Sequence, residues 1–235
     1  MILTTLFNYF RNMKKLGEYL PEDKMLTLIS DDYRFLQVLS RFGIPLGFGD
    51  STIKEVCDDK GVDCHTFLTV VNFINNGSCP PSELPQISLQ SLLHYLKQSH
   101  VYFLEFFLPA IRKKIMEGII MKDTDVSFLI LKLFDEYVAG VADHMQQEER
   151  SLFILMDNKN GLKNDGMPST SKHHVKVGSK LKELKNIILK YCPSESNANI
   201  LNAALYDIYR CEEELASHCL IEDLLLLPAL TIHNK

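Results

Sequence analysis

Tryptophan is absent from the 235 residues, so Phe and Tyr carry the aromatic packing. No uninterrupted apolar run approaches the ~20 residues that span a bilayer. The longest, around Phe103–Leu108 and Leu224–Leu230, lie inside helical patterns. No segment alternates polar and apolar residues convincingly with period two, so strands are not expected. Positive charge is in deficit: 25 bases against 30 acids leave a net −5. That balance argues against binding nucleic acid or an anionic membrane through charge. The opening stretch MILTTLFNYFRNMKK places its charges after a short apolar segment, the wrong order for a secretory signal.

Six cysteines, at 57, 64, 79, 192, 211 and 219, include no Cys-x-x-Cys and make no dense framework. A reduced, cytoplasmic protein is the expectation. Cys211 and Cys219 fall in a helical stretch, where free Cys commonly acts as a small core residue.

What is present is a core's worth of apolar residues (46%) and two strong breaks. The first, Asn75 to Ser82 with Pro85 following, reads as a linker between a domain at 1–78 and another at 86–232. The second is the polar loop DNKNGLKNDGMPSTSK from Asp157 to Lys172. Ahead of the linker, Thr52 and Glu55 form a capping box for Ile53–Lys60, which Gly61 stops. Asp63 then caps Cys64–Ile74, and residues 32–42 are a further amphipathic candidate. Beyond it, helical periodicity covers about 87–118, 124–156, 169–190 and 198–226. In the second of these, Phe128, Leu131, Phe134, Val138, Val141 and Met145 form the apolar stripe. Pro109 is expected to end or kink the first. The fold class is therefore all-α, an up-down-up-down four-helix bundle behind a small helical N-terminal domain.

The chemistry sits in a repeated pattern. His144 with Glu148, and His218 with Glu222, both read His-x3-Glu, and i and i+4 share a helix face. The separation is 218 − 144 = 74, and His100 and His174 obey it too, since 174 − 100 = 74. Four inward-pointing imidazoles and two bridging carboxylates supply more donors than one zinc tetrahedron takes. Histidine and carboxylate with open positions suit a pair of redox-active irons, joined by an oxo or hydroxo bridge. Carboxylate-rich di-iron bundles use Glu-x-x-His and further Glu, an order not found here.

His94 lies six residues before His100, about 240° round the helix, and is read as a surface residue. His173 is read as solvated, and His65 and His233 fall outside the pattern. Glu149 and Asp223, each following a proposed ligand, are read as solvent-facing charges. Arg112, Lys113 and Lys114 suit the negative end of the first long helix.

The stretches SHVYFLEFFLPAI, DHMQQEERSLFILM, KHHVKVGSKLKEL and SHCLIEDLLLLPAL together resemble the hemerythrin-like (HHE) proteins, specifically their iron–sulfur cluster repair di-iron family. The resemblance covers roughly residues 87–230 and implies metal ligands at His100, His144, Glu148, His174, His218 and Glu222. Oxygen-carrying hemerythrins add a second His on the third helix and close with His-x4-Asp. Gly178 stands four after His174 here and the last pair is His-x3-Glu, which favours the repair family. That family often carries adjacent cysteines in its N-terminal domain, where this chain has Cys57 and Gly61-Val62-Asp63-Cys64-His65. Half-buried packing is the plain reading of Cys64.

Three functions remain open. One is a di-iron protein of the nitrosative and oxidative stress response that helps restore damaged iron–sulfur clusters. Its expected partners are NO, O2 or peroxide and iron–sulfur proteins, with a homodimer allowed. The second is an O2- or NO-binding sensor that signals through the N-terminal domain. The third is a helical protein whose His/Glu set is vestigial.

Overall fold

The computed structural model describes the backbone of residues 17–119, 125–157 and 170–233, and all side chains of these except 151–157 and 170–179. The N-terminal stretch read against a secretory signal, and the core of the polar loop after Asp157, lie outside the described residues. The described fold is all-α, with one isolated bridge between Lys24 and Thr52. Its helices are α1 (Met25–Asp31), α2 (Phe35–Arg41), α3 (Ile53–Lys60), α4 (Cys64–Asn76), α5 (Leu89–Val101), α6 (Leu108–Gly118), α7 (Asp125–Asp157), α8 (Thr170–Tyr191), α9 (Ala198–Ile221) and α10 (Leu227–His233).

Local chemistry explains the N-terminal helices. Thr52 Oγ1 accepts from the Glu55 backbone while the Glu55 carboxylate accepts from Thr52 N–H, a complete capping box. Gly61 closes α3 at φ +65°, a left-handed conformation that glycine adopts without steric cost. Asp63 caps α4 by accepting from Thr66 N–H at 2.8 Å. Helix α1 has no capping side chain and was not anticipated from the sequence.

The chain divides into two compact units, Met1–Ser99 with Ser217–Lys235, and His100–Ala216. In the first, Phe42 packs on Phe67 and Tyr95, at centroid separations of 5.4 and 4.9 Å. Ser88 N–H donates to Thr66 Oγ1 at 2.9 Å, so the start of α5 is tied to α4. In the second, the core runs through Phe103, Ile111, Phe134, Tyr137, Leu184 and Ile208. Bidentate Arg112–Asp135 and the pairs Lys114–Asp207 and Lys185–Glu212 tie its helices together. Arg112 and Lys114 therefore serve as links between helices rather than as helix-end charges.

Three expectations need correcting. Phe128 is 68% exposed, and the buried stripe of α7 is instead Ile130, Phe134, Tyr137, Val141 and Met145. The six-residue template slipped because Phe128 and Ile130 are both apolar and only one can face inward. Second, Pro109 does not end the first long helix. Its ring would clash with a carbonyl four residues back. The helix widens instead into a π segment, Tyr102–Phe107, where Leu108 N–H reaches Phe103 O five residues back. The last helix treats Pro228 alike, with a π segment at Glu222–Leu226 and Leu227 N–H on Glu222 O, and runs to His233 rather than 226. Third, among the described residues one helix, Ala198–His233, is long and apolar enough to cross a membrane by length and composition. Buried side chains account for 44% of its most apolar stretch, and Leu201, Ala204, Ile208 and Cys211 are core residues.

Candidate metal centre

Helix α7 presents His144 and Glu148 one turn apart on the same face. His144 Nε2 lies 2.7 Å from Glu148 Oε1. The other carboxylate oxygen, Oε2, faces His100 Nε2 at 3.5 Å. One carboxylate thus receives an imidazole on each oxygen. All three side chains are buried: His100 is 2% exposed, Glu148 6% and His144 8%. This is a His/Glu cluster able to coordinate a metal ion.

In the other unit, His218 and Glu222 repeat the i, i+4 geometry, with Nε2 and Oε1 3.3 Å apart. Both are buried, at 1% and 3% exposed. Glu222 opens the second π segment, and single-turn π segments recur at functional sites. The leucine–proline pairs at 108–109 and 227–228 were the visible signals for both π segments. His174 lies on α8, but its side chain, like that of His173, is outside those described.

The donors fit a cation. Each described His/Glu pair points an Nε2 at a carboxylate oxygen, and burying such groups is costly unless a charge partner satisfies them. Imidazole nitrogens and carboxylates are ligands of borderline, redox-active metals. His94 is exposed and His233 lies at the exposed end of α10, so neither joins the set.

Glu149 corrects the sequence reading. It is not a free solvent-facing charge: its Oε1 lies 3.0 Å from His100 Nδ1. Asp223 is half-buried rather than fully exposed. The signal for Glu149 was its place beside Glu148, where it could flank the same ring, but sequence alone did not separate that from solvation. Cys219 is half-buried, less a core residue than expected.

Cys57 and Cys64 are not activated thiols. Burial pushes the Cys57 thiol far up, with the neighbouring Cys64 adding to the rise, and burial raises Cys64 as well. Thiolate is the reactive form, so neither is a poised nucleophile.

Fold and cluster together define a metal-binding helical bundle. A model of the hemerythrin HHE cation binding domain matches residues 91–230, more than half of the chain, and the protein belongs to that family. The hemerythrin-like bundle is thus preceded in sequence by the additional helices α1–α4. No curated protein matches the chain closely enough to count as a relative.

Proposed function

We propose that the protein holds two iron ions through His100, His144, Glu148, His174, His218 and Glu222, and acts in repairing iron–sulfur clusters damaged by NO or oxidants. The observation that carries this reading is Glu148, a buried carboxylate with His100 Nε2 and His144 Nε2 on its two oxygens. A carboxylate so placed can bridge two cations, each also held by one imidazole. Membership of a cation-binding family supports the metal, and the His-x3-Glu close with Gly178 at the position of the missing histidine supports the repair type. Histidine-rich, carboxylate-bridged iron, when bound, supplies redox change and open positions for NO, O2 or peroxide. The chain's own part is to bury the donors, hold their geometry and keep bulk water out. A cytoplasmic setting and iron–sulfur proteins as partners belong to the same proposal.

Iron analysis and Mössbauer spectroscopy on anaerobically reconstituted protein test the metal: about two irons per chain, giving the doublets of a coupled pair, are expected from the donor count. One zinc and no iron would overturn it. Repair is tested by adding the loaded protein to a nitrosylated [4Fe–4S] enzyme and following recovery of that enzyme's activity. Reversible NO binding without recovery would favour the sensor reading instead.

A further inference from the structure

His100 is held between two carboxylates. Its Nδ1 lies 3.0 Å from Glu149 Oε1 and its Nε2 lies 3.5 Å from Glu148 Oε2. The ring is 2% exposed, so water cannot stand in for either partner. A neutral imidazole carries one N–H, and an ionised carboxylate can only accept. In the neutral form, the one that a metal can bind, the two carboxylates therefore compete for one proton. Glu149 sits at ordinary hydrogen-bond distance, whereas 3.5 Å is at the outer limit. The proton goes to Nδ1, and the lone pair is left on Nε2, which faces Glu148.

We infer that Glu149 is a positioning residue for His100: by accepting the Nδ1 proton it fixes the tautomer and the ring so that Nε2 presents its lone pair for a metal. This rests on the metal reading above. Consecutive residues on a helix diverge by about 100°, so Glu148 and Glu149 can flank one ring from two sides. Carboxylates or carbonyls commonly hold the far nitrogen of a metal-bound histidine in this manner. Without Glu149 the Nδ1 proton loses its acceptor at 3.0 Å, while Glu148 still stands opposite Nε2. The proton then moves to Nε2, the nitrogen the metal needs.

The test uses the full chain with ¹⁵N-labelled histidine. In metal-free protein, at a pH high enough for the ring to be neutral, NMR should show His100 protonated at Nδ1. Glu149→Ala should transfer that proton to Nε2, and Glu149→Gln should keep it on Nδ1, because the amide oxygen still accepts. Glu149 is half-exposed, so neither variant disturbs the core. Iron(II) affinity, read by chelator competition, should fall about 10- to 100-fold in Glu149→Ala and stay within about threefold of wild type in Glu149→Gln. An unchanged tautomer in Glu149→Ala, with unchanged iron affinity, overturns the inference while leaving the metal reading intact. A tautomer that follows Glu149 in a chain binding no iron would sink the metal reading, while Glu149 still sets the proton on His100.

Discussion

The hydroxyl of Tyr137 lies 4.0 Å from Cys211 Sγ, and the two residues are 211 − 137 = 74 positions apart. That is the offset relating His144 to His218 and His100 to His174. Two positions related by this offset thus meet inside the core of the second unit. Both are buried, and burial pushes the Cys211 thiol up to about 12. At neutral pH the thiolate is scarce, and there is no path for a reagent to reach it. Cys211 and Cys57 should therefore resist iodoacetamide in folded protein and react only after denaturant is added. Peptide mass spectrometry reads the difference, and rapid labelling of native Cys211 would contradict the packing described.

The ligand assignment separates near neighbours. His100→Ala and Glu148→Ala each remove a buried donor of the cluster and should lose most of their iron. Glu222→Ala, which removes the buried carboxylate of the second His-x3-Glu pair, should do the same. His94→Ala alters an exposed side chain six residues from His100 and should keep its iron. Iron per chain, measured after desalting, decides between them. Loss in His94→Ala with retention in His100→Ala would mean that the first bundle helix has another register.

Much of this was legible because the signals were periodic and local. The capping box at Thr52 and Glu55 involves four residues, and Gly61 supplied its own stop. The His-x3-Glu pairs needed only helical geometry to share a face. What could not be read depended on contacts distant in sequence. Nothing local distinguishes Glu149, which meets a ring 49 positions away, from a solvated Glu. Pro109 reads as the end or a kink of its helix because the rule counts a lost hydrogen bond. It does not foresee a π turn that reroutes the neighbouring N–H groups. Phe128 and Ile130 show the third limit: with apolar residues on both sides of a stripe, the buried face is set by the partner helix.

Arg112 and Asp135 give a prediction in pH. Two hydrogen bonds from the guanidinium, at 2.7 and 2.9 Å, hold the Asp135 carboxyl below its usual range. A depressed folded-state pKa adds stability above the unfolded pKa, and that stability is lost as pH falls through the folded value. Both side chains are over 40% exposed, so screening limits the effect to about 1 kcal/mol or less. Arg112→Ala should be slightly destabilised in urea at pH 7 and low salt. The difference from wild type should shrink as pH falls below the ordinary carboxylate range and through the depressed folded value. A difference that grows on acidification would rule out the pairing as its source.

Two helical glycines should respond to alanine with opposite signs. Gly140 lies within α7, and a methyl group built there meets nothing within 4 Å. Alanine at that position lowers the entropy of the unfolded chain and favours the helix, so Gly140→Ala should stabilise by about 0.5–1 kcal/mol. Gly118 is buried at the end of α6, where its carbonyl accepts from Asn197 N–H at 2.8 Å just before α9. A methyl there would stand 2.8 Å from both Cγ and Cδ2 of Leu201, and 3.3 Å from Ile200 Cγ2. Leu201 belongs to the core and is 5% exposed, so it cannot swing into solvent without leaving a cavity. The helices must part instead, which lengthens the Asn197 hydrogen bond. Overpacking of this kind costs about 1–3 kcal/mol, more than the helix propensity of alanine returns. Urea unfolding of metal-free protein, with m unchanged between variants, measures both. Stabilisation by Gly118→Ala would show that α6 and α9 do not approach as closely as the 2.8 Å contacts require.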